Sequence, residues 1–151
     1  MKYRTLAGYV DLEGPGIILE INDPPADLQF GDEYSIVSDL DAILQIVSVL
    51  NAADAEAISI NDQRYTAFTE IVKAGNHIEI NGVSTSSPII IKAIGDPSIL
   101  ESALAIKGGI VWQLRNYDYI VHLTQDQNVQ IPKYRKIKEF IYAKPVEESI
   151  N

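Results

Sequence analysis

Three polar residues, Asn61, Arg64 and Asp96, are the positions at which this sequence could hold a small ligand. Arg64 is the first basic residue after a long acidic stretch, so its guanidinium could bind an anionic group while Asn61 and Asp96 orient it. The alternative is an ion pair with Asp23, Asp62 or Asp96, which would make the arginine structural. The sequence therefore predicts Asn61, Arg64 and Asp96 as ligand-binding residues and leaves the ion pair open.

Catalytic signatures are missing from the sequence. It has no cysteine, no Gly-x-Ser-x-Gly, no Walker loop and no Gly-x-Gly-x-x-Gly. His77 and His122 are far apart in predicted strands, which favours structural roles over a zinc site. Four acids lack the spacing of a calcium loop: Asp23, Asp27, Asp32 and Glu33. We therefore expect no catalytic residue, no metal, no cofactor and no enzyme activity.

The charge distribution argues against nucleic acid as a partner. The 151 residues carry 12 Lys and Arg against 21 Asp and Glu, a net charge of −9. Twelve acids and no basic residue lie between Arg4 and Arg64, whereas nucleic-acid binding needs basic side chains along a track. Residues 132–143 are basic and aromatic, and we interpret this tail as a final strand or docking segment with a solvated charged face.

Hydrophobic periodicity predicts the elements that must position these residues. Strands are predicted at residues 17–21, 55–61, 65–72, 77–80, 89–94, 111–114 and 120–123. A helix is predicted over about 39–53, and a second helix begins at Pro97 and stops at Gly108. Residues 13–16 are expected to form a turn and residues 84–87 a loop.

These elements predict an α+β fold with a mixed sheet of about six or seven strands and two helices packed on one face. A strand-helix-strand unit should pair residues 17–21 in parallel with residues 55–61. Since parallel strands end at one edge, Asn61, Arg64 and Asp96 are expected to converge there. Residues 9–145 would form the single domain, and residues 146–151 a disordered tail.

Several segments together resemble a known bacterial family. They are Gly14-Pro15-Gly16-Ile17-Ile18, Asp39-Leu40, Ala55-Glu56-Ala57-Ile58-Ser59-Ile60-Asn61, Gln63-Arg64, Ser87-Pro88-Ile89, Ala93-Ile94-Gly95-Asp96-Pro97 and Ile131-Pro132. In order and spacing this chain resembles the domain of unknown function 881 family, the YlxW and YlxX type, over about residues 5–145. The family usually has glycine at position 54, and often at position 62, where this chain has aspartate.

The resemblance implies a parent protein with an N-terminal membrane helix and a coiled coil, of which residues 1–8 would be the stump. The domain would then be displayed outside the cytoplasm of a bacterium, typically Gram-positive, and gene neighbourhood implies a division or envelope role. No activity is established for the family. We expect a non-catalytic interaction domain whose partner is an envelope or division protein, or itself as a homodimer. The alternative is a small-ligand sensor with an anion held by Arg64.

Overall fold

The chain folds into eight strands and three helices within the residues that a computed structural model describes, which are 8–25, 35–36, 39–135 and 141–146. These elements are β1 (Leu12–Asn22), α1 (Leu40–Ala52), β2 (Ala57–Ile60), β3 (Gln63–Arg64), β4 (Ile71–Ala74), β5 (His77–Ile80), β6 (Val83–Thr85), β7 (Ile89–Ile94), α2 (Pro97–Ala105), α3 (Ile110–Asn116) and β8 (Ile120–Ile131). The predicted α+β class is confirmed.

Some predicted features lie outside the described residues. They are the segment 1–7, the acids Asp27, Asp32 and Glu33, the basic residues Lys136 and Lys138, and residues 147–151. The predicted domain boundaries near residues 8 and 145 stay a prediction.

The main sheet has five strands in the order β3-β2-β7-β1-β8, and every neighbouring pair is antiparallel. The predicted central position of residues 89–94 is confirmed, since β7 lies in the middle. The strand-helix-strand unit is present, but the predicted direct pairing of its strands is wrong, because β7 lies between β1 and β2. The row formed by Ile89, Ile91 and Ala93 is buried, so β7 fills the centre of the apolar layer.

All three helices cover one side of the main sheet, here called the helix face. Helix α1 agrees with the predicted span of about 39–53, and Asp39 caps it by accepting a hydrogen bond from the Ala42 amide at 3.1 Å. Helix α2 begins at Pro97 as predicted. The buried side chains of this layer come from every helix and, in the main sheet, from β1, β2, β7 and β8, and they include Ile17, Leu19, Ile43, Ile46, Leu50, Ile58, Ile60, Ile91, Leu100, Leu104, Leu114 and Val121.

The predicted hairpin of residues 111–114 and 120–123 is wrong. Residues 110–116 form helix α3, and the chain then enters the long strand β8. Ile110, Val111 and Leu114 are buried together at helical spacing, and Gly109 is the N-cap residue. A short apolar run is compatible with either a strand or a buried helix turn, and packing against the sheet decides between them here.

A β-bulge changes which side chains of β8 face which side of the sheet. Between Gly14 and Gly16 the pairing of β1 with β8 moves two residues on β1 but three on β8, from Val129 to Asp126. One extra residue reverses the alternation, so Val129 and Ile131 lie on the side opposite the helices, here called the second face. The predicted turn at residues 13–16 is therefore wrong, since β1 runs through it.

Gly16 is required where β1 passes β7. A Cβ atom at this position would lie 1.8 Å from the carbonyl oxygen of Ala93, so any side chain would collide with the backbone of β7. Pro15 lacks an amide donor but sits at the bulge, where a proline is tolerated, and its carbonyl accepts the Gly95 amide at 2.9 Å. The run of Gly14, Pro15 and Gly16 thus allows β1 to pack closely against β7.

The second sheet has three short antiparallel strands in the order β4-β5-β6. The predicted hairpin of residues 65–72 and 77–80 is present, although its first strand is β4 at Ile71–Ala74. Asn81 and Gly82 form the expected turn, with φ values of 55° and 78° that suit a two-residue hairpin. The loop expected at 84–87 is in part wrong, because β6 extends to Thr85. Ile78 and Ile80 join this sheet to the main core.

Candidate functional site

Arg64 lies on the second face of the main sheet, opposite Ser59 of β2, with only 3% of its surface exposed. Its Nη1 atom donates hydrogen bonds to the carbonyl oxygens of Val10, at 3.0 Å, and Pro132, at 3.4 Å. Burial lowers the pKa of the Arg64 guanidinium, and the nearby Asp11 carboxylate opposes this by raising it. Arg64 therefore joins the point where the chain enters β1 to the point where it leaves β8.

Residues 8–11 and 132–135, here called the chain crossing, are held by further contacts. The Tyr134 amide donates to the Gly8 carbonyl, and the Lys133 amide donates to the Asp11 carboxylate at 2.7 Å. The rings of Tyr9 and Tyr134 lie 6.3 Å apart, a normal separation for an aromatic pair. The first residues of the predicted basic tail thus pack onto the domain.

The carbonyl of Arg64 connects the main sheet to the three-stranded sheet. It accepts hydrogen bonds from the Asn81 side-chain amide at 2.9 Å and from the Thr69 hydroxyl at 3.1 Å. Together with its guanidinium contacts, this makes Arg64 a junction of both sheets and the chain crossing. The sequence left open an ion pair between Arg64 and one of the predicted aspartates. The acid whose charge raises the pKa of Arg64 in the structure is Asp11, which was not among them.

Asn61 and Asp62 form the two-residue turn between β2 and β3, with φ values of 45° and 66°. The Asn61 carboxamide oxygen accepts the Ile90 amide at 2.6 Å, and its nitrogen donates to the Thr85 hydroxyl and to the Pro88 carbonyl, the latter at 3.2 Å. These contacts fasten the end of β6 and the start of β7 to the turn.

Asp96 is the N-cap residue of α2, where its carboxylate accepts hydrogen bonds from the Ser98 amide at 3.0 Å and the Ile99 amide at 3.3 Å. A shallow depression of about 500 Å³ beside it is also lined by the acids Asp54 and Glu56. Three carboxylates at one place disfavour an anionic ligand.

The predicted convergence of Asn61 and Asp96 is wrong. Because β2 and β7 are antiparallel, the end of β2 lies beside the start of β7, and Asn61 accepts from Ile90. Asp96 follows Ile94 at the other end of β7, about 13 Å along the strand from Ile90 at an ordinary rise per residue. Ligand binding by Asn61, Arg64 and Asp96 stays a prediction.

A polar groove opens on the second face beside the chain crossing, with a volume of about 670 Å³. It is lined by Asp11, Leu12, Glu13, Asp62, Lys92, Gln130, Ile131, Pro132 and Arg135. The Lys92 ammonium lies 3.8 Å from the Asp62 carboxylate. Lys92 is not among the predicted site residues, although it is the one charged residue in the apolar run 89–94. The groove brings together side chains of both signs.

Strand β8 forms one edge of the main sheet, and within the described ranges β1 is the only strand that pairs with it. Residues 120–126, here called the edge segment, precede the bulge. His122 and Thr124 are exposed on the second face, and Asp126 is half-buried there. The edge segment has no lysine or proline, which many natural edge strands use to block pairing with another chain.

The histidines lie in strands, as predicted, His77 in β5 and His122 in β8. In the part of the chain that the structure describes, no three His, Asp or Glu side chains are grouped so that they could hold a metal ion. None of the helices in the described ranges combines the length and the apolar character that crossing a membrane requires.

Comparisons with known proteins agree on one family. Residues 1–144 match the family model described as bacterial protein of unknown function, DUF881. The chain is 31% identical over 138 residues to UPF0749 protein YlxW of Bacillus subtilis, covering 91% of this chain and 60% of that protein. It is 30% identical over 145 residues to UPF0749 protein Rv1825 of Mycobacterium tuberculosis, covering 93% of this chain and 46% of that protein.

A solved structure shares the fold. The crystal structure of an uncharacterized conserved protein from Mycobacterium tuberculosis matches with a TM-score of 0.76 and 30% identity, over 95% of this chain and 96% of that chain. The chain spans about half to three fifths of the length of these curated relatives. The family match extends over nearly all of the sequence, so this chain belongs to the DUF881 family of bacterial proteins of unknown function.

Proposed function

We propose that this domain is a non-catalytic protein-interaction module and that the edge segment of β8 supplies its contact surface. The observation that carries the proposal is the position of β8, which pairs with β1 on one side and presents its other backbone edge outward beyond Val121, whose carbonyl accepts a hydrogen bond from the Arg115 guanidinium at 2.8 Å. An extended segment of a partner can add to such an edge through main-chain hydrogen bonds, and the exposed side chains then give specificity.

The other sheet edges are poorer candidates. Strand β3, at the opposite edge of the main sheet, has two residues, and the outer strands of the small sheet, β4 and β6, have four and three. Strand β4 also exposes Lys73, a residue type that discourages edge pairing. Residues 122–126 of the edge segment, which follow the carbonyl that Arg115 engages, still offer a longer ladder than any of these strands.

The setting belongs to the same proposal. We place the domain on the extracytoplasmic side of the membrane, within a longer anchored protein that serves cell division or envelope assembly, and its partner is an envelope or division protein or a second copy. The support is the family resemblance and the greater length of the curated relatives. The acidic surface, with a net charge of −9, argues for a protein partner over nucleic acid.

Site-directed cross-linking tests the proposed surface, because the chain has no native cysteine. A photo-reactive cross-linker attached to Thr124→Cys should capture a partner from bacterial envelope extract. The matched control is Asn76→Cys, an exposed position in the turn between β4 and β5. We expect the same protein to be captured from position 124, to be missing from position 76, and to be displaced by excess unlabelled domain. Equal capture from both positions would contradict the proposal.

The polar groove supports a second candidate function, the binding of a small ligand that carries both charges. Lys92 and Arg135 would hold its anionic group, and Asp62 its cationic group. Thermal-shift measurements with cell-wall fragments, nucleotides and organic acids test this candidate. A ligand at 100 times its Kd should add about 2.7 kcal/mol to the free energy of unfolding. The shift should disappear in Lys92→Ala, and an undiminished shift in that variant would exclude this groove.

A further inference from the structure

We infer that the strand that adds to β8 is β8 of a second copy, so that two domains form one continuous ten-stranded antiparallel sheet. This inference rests on the proposed function, since it names the partner of the same edge. A two-fold axis through Thr124 would place the two Thr124 residues opposite each other. The pairing would be isologous, which is the commonest symmetry of protein dimers.

Charge complementarity selects this register. With Thr124 on the axis, His122 of each copy lies opposite Asp126 of the other, which gives two pairs of a basic and an acidic side chain. An axis through His122 would place the two histidines opposite each other, and an axis through Asp126 would oppose the two carboxylates. Cross-strand pairs of opposite charge stabilise a sheet and like pairs destabilise it. Thr124 facing its own copy adds a favourable threonine pair.

The geometry of β8 limits the pairing to the edge segment. His122, Thr124 and Asp126 occupy alternate positions on the second face, opposite Glu20, Ile18 and Gly16 of β1. Beyond Asp126 the bulge reverses the alternation, and Val129 turns into the buried cluster on the second face. With the axis at Thr124, residues 122–126 of each copy remain for pairing, five residues or about 16 Å of strand at the usual rise.

The net charge of −9 on each copy opposes association. Dimer formation should therefore be measured at about 0.15 M salt, where ions screen charges that lie more than roughly 8 Å apart.

Disulfide trapping tests the inference with the purified domain alone. Mild oxidation of Thr124→Cys should give a covalent dimer, because two cysteines on the axis face each other. Asn76→Cys is the matched control and should stay monomeric. His122→Cys alone should also stay monomeric, since it faces Asp126 of the other copy, whereas a mixture of His122→Cys and Asp126→Cys should give a mixed disulfide dimer. Cross-linking at position 124 no faster than at position 76 would overturn the inference.

Two substitutions of opposite charge at position 122 test the proposed register. His122→Lys keeps a basic residue opposite Asp126, whereas His122→Asp places two carboxylates opposite each other. The dimer Kd, measured by sedimentation at 0.15 M salt, should be at least about fivefold lower for His122→Lys than for His122→Asp. Asn76→Lys and Asn76→Asp change the net charge equally away from β8 and should differ by less. An equal difference at both positions would reject the register.

The failure of this inference can be distinguished from failure of the proposed function. If the domain sediments as a monomer but an envelope protein is still captured from position 124, the second copy is rejected as partner and the edge remains an interaction surface. If neither a dimer nor a captured protein is found at position 124, both proposals fail.

Discussion

The two faces of the main sheet are stabilised in different ways. On the helix face, strands β1, β2 and β7 bury rows of aliphatic side chains against three helices, and Ile17, Leu19 and Ile91 have no exposed surface. On the second face the buried set includes Ser59 and Arg64, and the cover comes from the bulged end of β8 and the chain crossing. The first face depends on apolar burial, whereas the second combines a small apolar cluster with hydrogen bonds to a few backbone groups.

The two faces therefore differ in how strictly they fix the arrangement of the chain. Apolar burial is non-directional, so many aliphatic combinations could maintain the helix face. A buried guanidinium is costly unless its donors are satisfied, and its partners Val10 and Pro132 must therefore keep one arrangement. The second face accordingly fixes where the chain enters β1 and leaves β8, and it shapes the polar groove between them.

Leu19→Ala and Ile18→Ala compare the two faces at neighbouring positions of β1. Leu19 is fully buried on the helix face, so its truncation should lower the free energy of unfolding by about 2–5 kcal/mol. Ile18 is half-buried on the second face, and Ile18→Ala should cost less than half as much. Urea denaturation of both variants measures the difference. Equal losses would show that the second face is as strongly packed as the helix face.

Arg64→Met tests whether one side chain holds the chain crossing. The variant removes the guanidinium contacts to Val10 and Pro132. We expect the free energy of unfolding to fall by about 1–3 kcal/mol, a loss kept small because the variant no longer buries a charge. Amide hydrogen exchange should rise first at Tyr134, whose amide bonds Gly8, while the amides of β7 stay protected.

Arg64→Lys is the matched control for charge. Lysine keeps the positive charge but lacks the planar guanidinium that reaches two carbonyls, so exchange at Tyr134 should rise in this variant too. Unchanged exchange at Tyr134 in both variants would show that Arg64 does not hold the crossing.

Local signals in the sequence predict most of the helix face. The helical spacing of Ile43, Val47 and Leu50 and the apolar run 89–94 are sufficient, because each pattern is complete within one element. The second face lacks such a signal. The bulge can be predicted only when the β1 partner of each β8 residue is known. Arg64 likewise donates hydrogen bonds to residues that lie 54 and 68 positions away in sequence. The same run of Gly14, Pro15 and Gly16 that indicates a turn locally serves close strand packing in the fold.

The candidate site was predictable only in part. Asn61, Arg64 and Asp96 were selected for their chemistry, and each makes specific hydrogen bonds, but an antiparallel register separates Asn61 from Asp96. The aspartates at positions 54 and 62, where the family favours glycine, adopt φ values of 63° and 66°. Aspartate tolerates this left-handed region better than most residues, so the tight turns persist despite the substitutions.

Ser59→Ala and Ala57→Ser test how well the second face satisfies its polar groups. The Ser59 hydroxyl is fully buried and has no hydrogen-bond partner among the described residues. Removing it should leave stability unchanged or raise it by up to about 1 kcal/mol, because the hydroxyl was desolvated without compensation. Ala57→Ser adds a hydroxyl on the same face of β2 and should cost about 1–3 kcal/mol. A clear loss of stability in Ser59→Ala would instead reveal a bound water or another partner.

The smallest expected effect is a pH dependence at the chain crossing. Burial raises the pKa of Tyr134, with smaller contributions from Tyr9 and Glu70, so the folded state holds this proton more tightly than the unfolded state. The stabilisation is complete below the unfolded tyrosine pKa of about 10 and is lost as pH rises above it. Between pH 9 and 11 the wild type should therefore lose more free energy of unfolding than Tyr134→Phe. Tyr117→Phe, at an exposed position, is the control and should follow the wild type. Identical pH dependence in all three proteins would show that water reaches Tyr134 at the chain crossing.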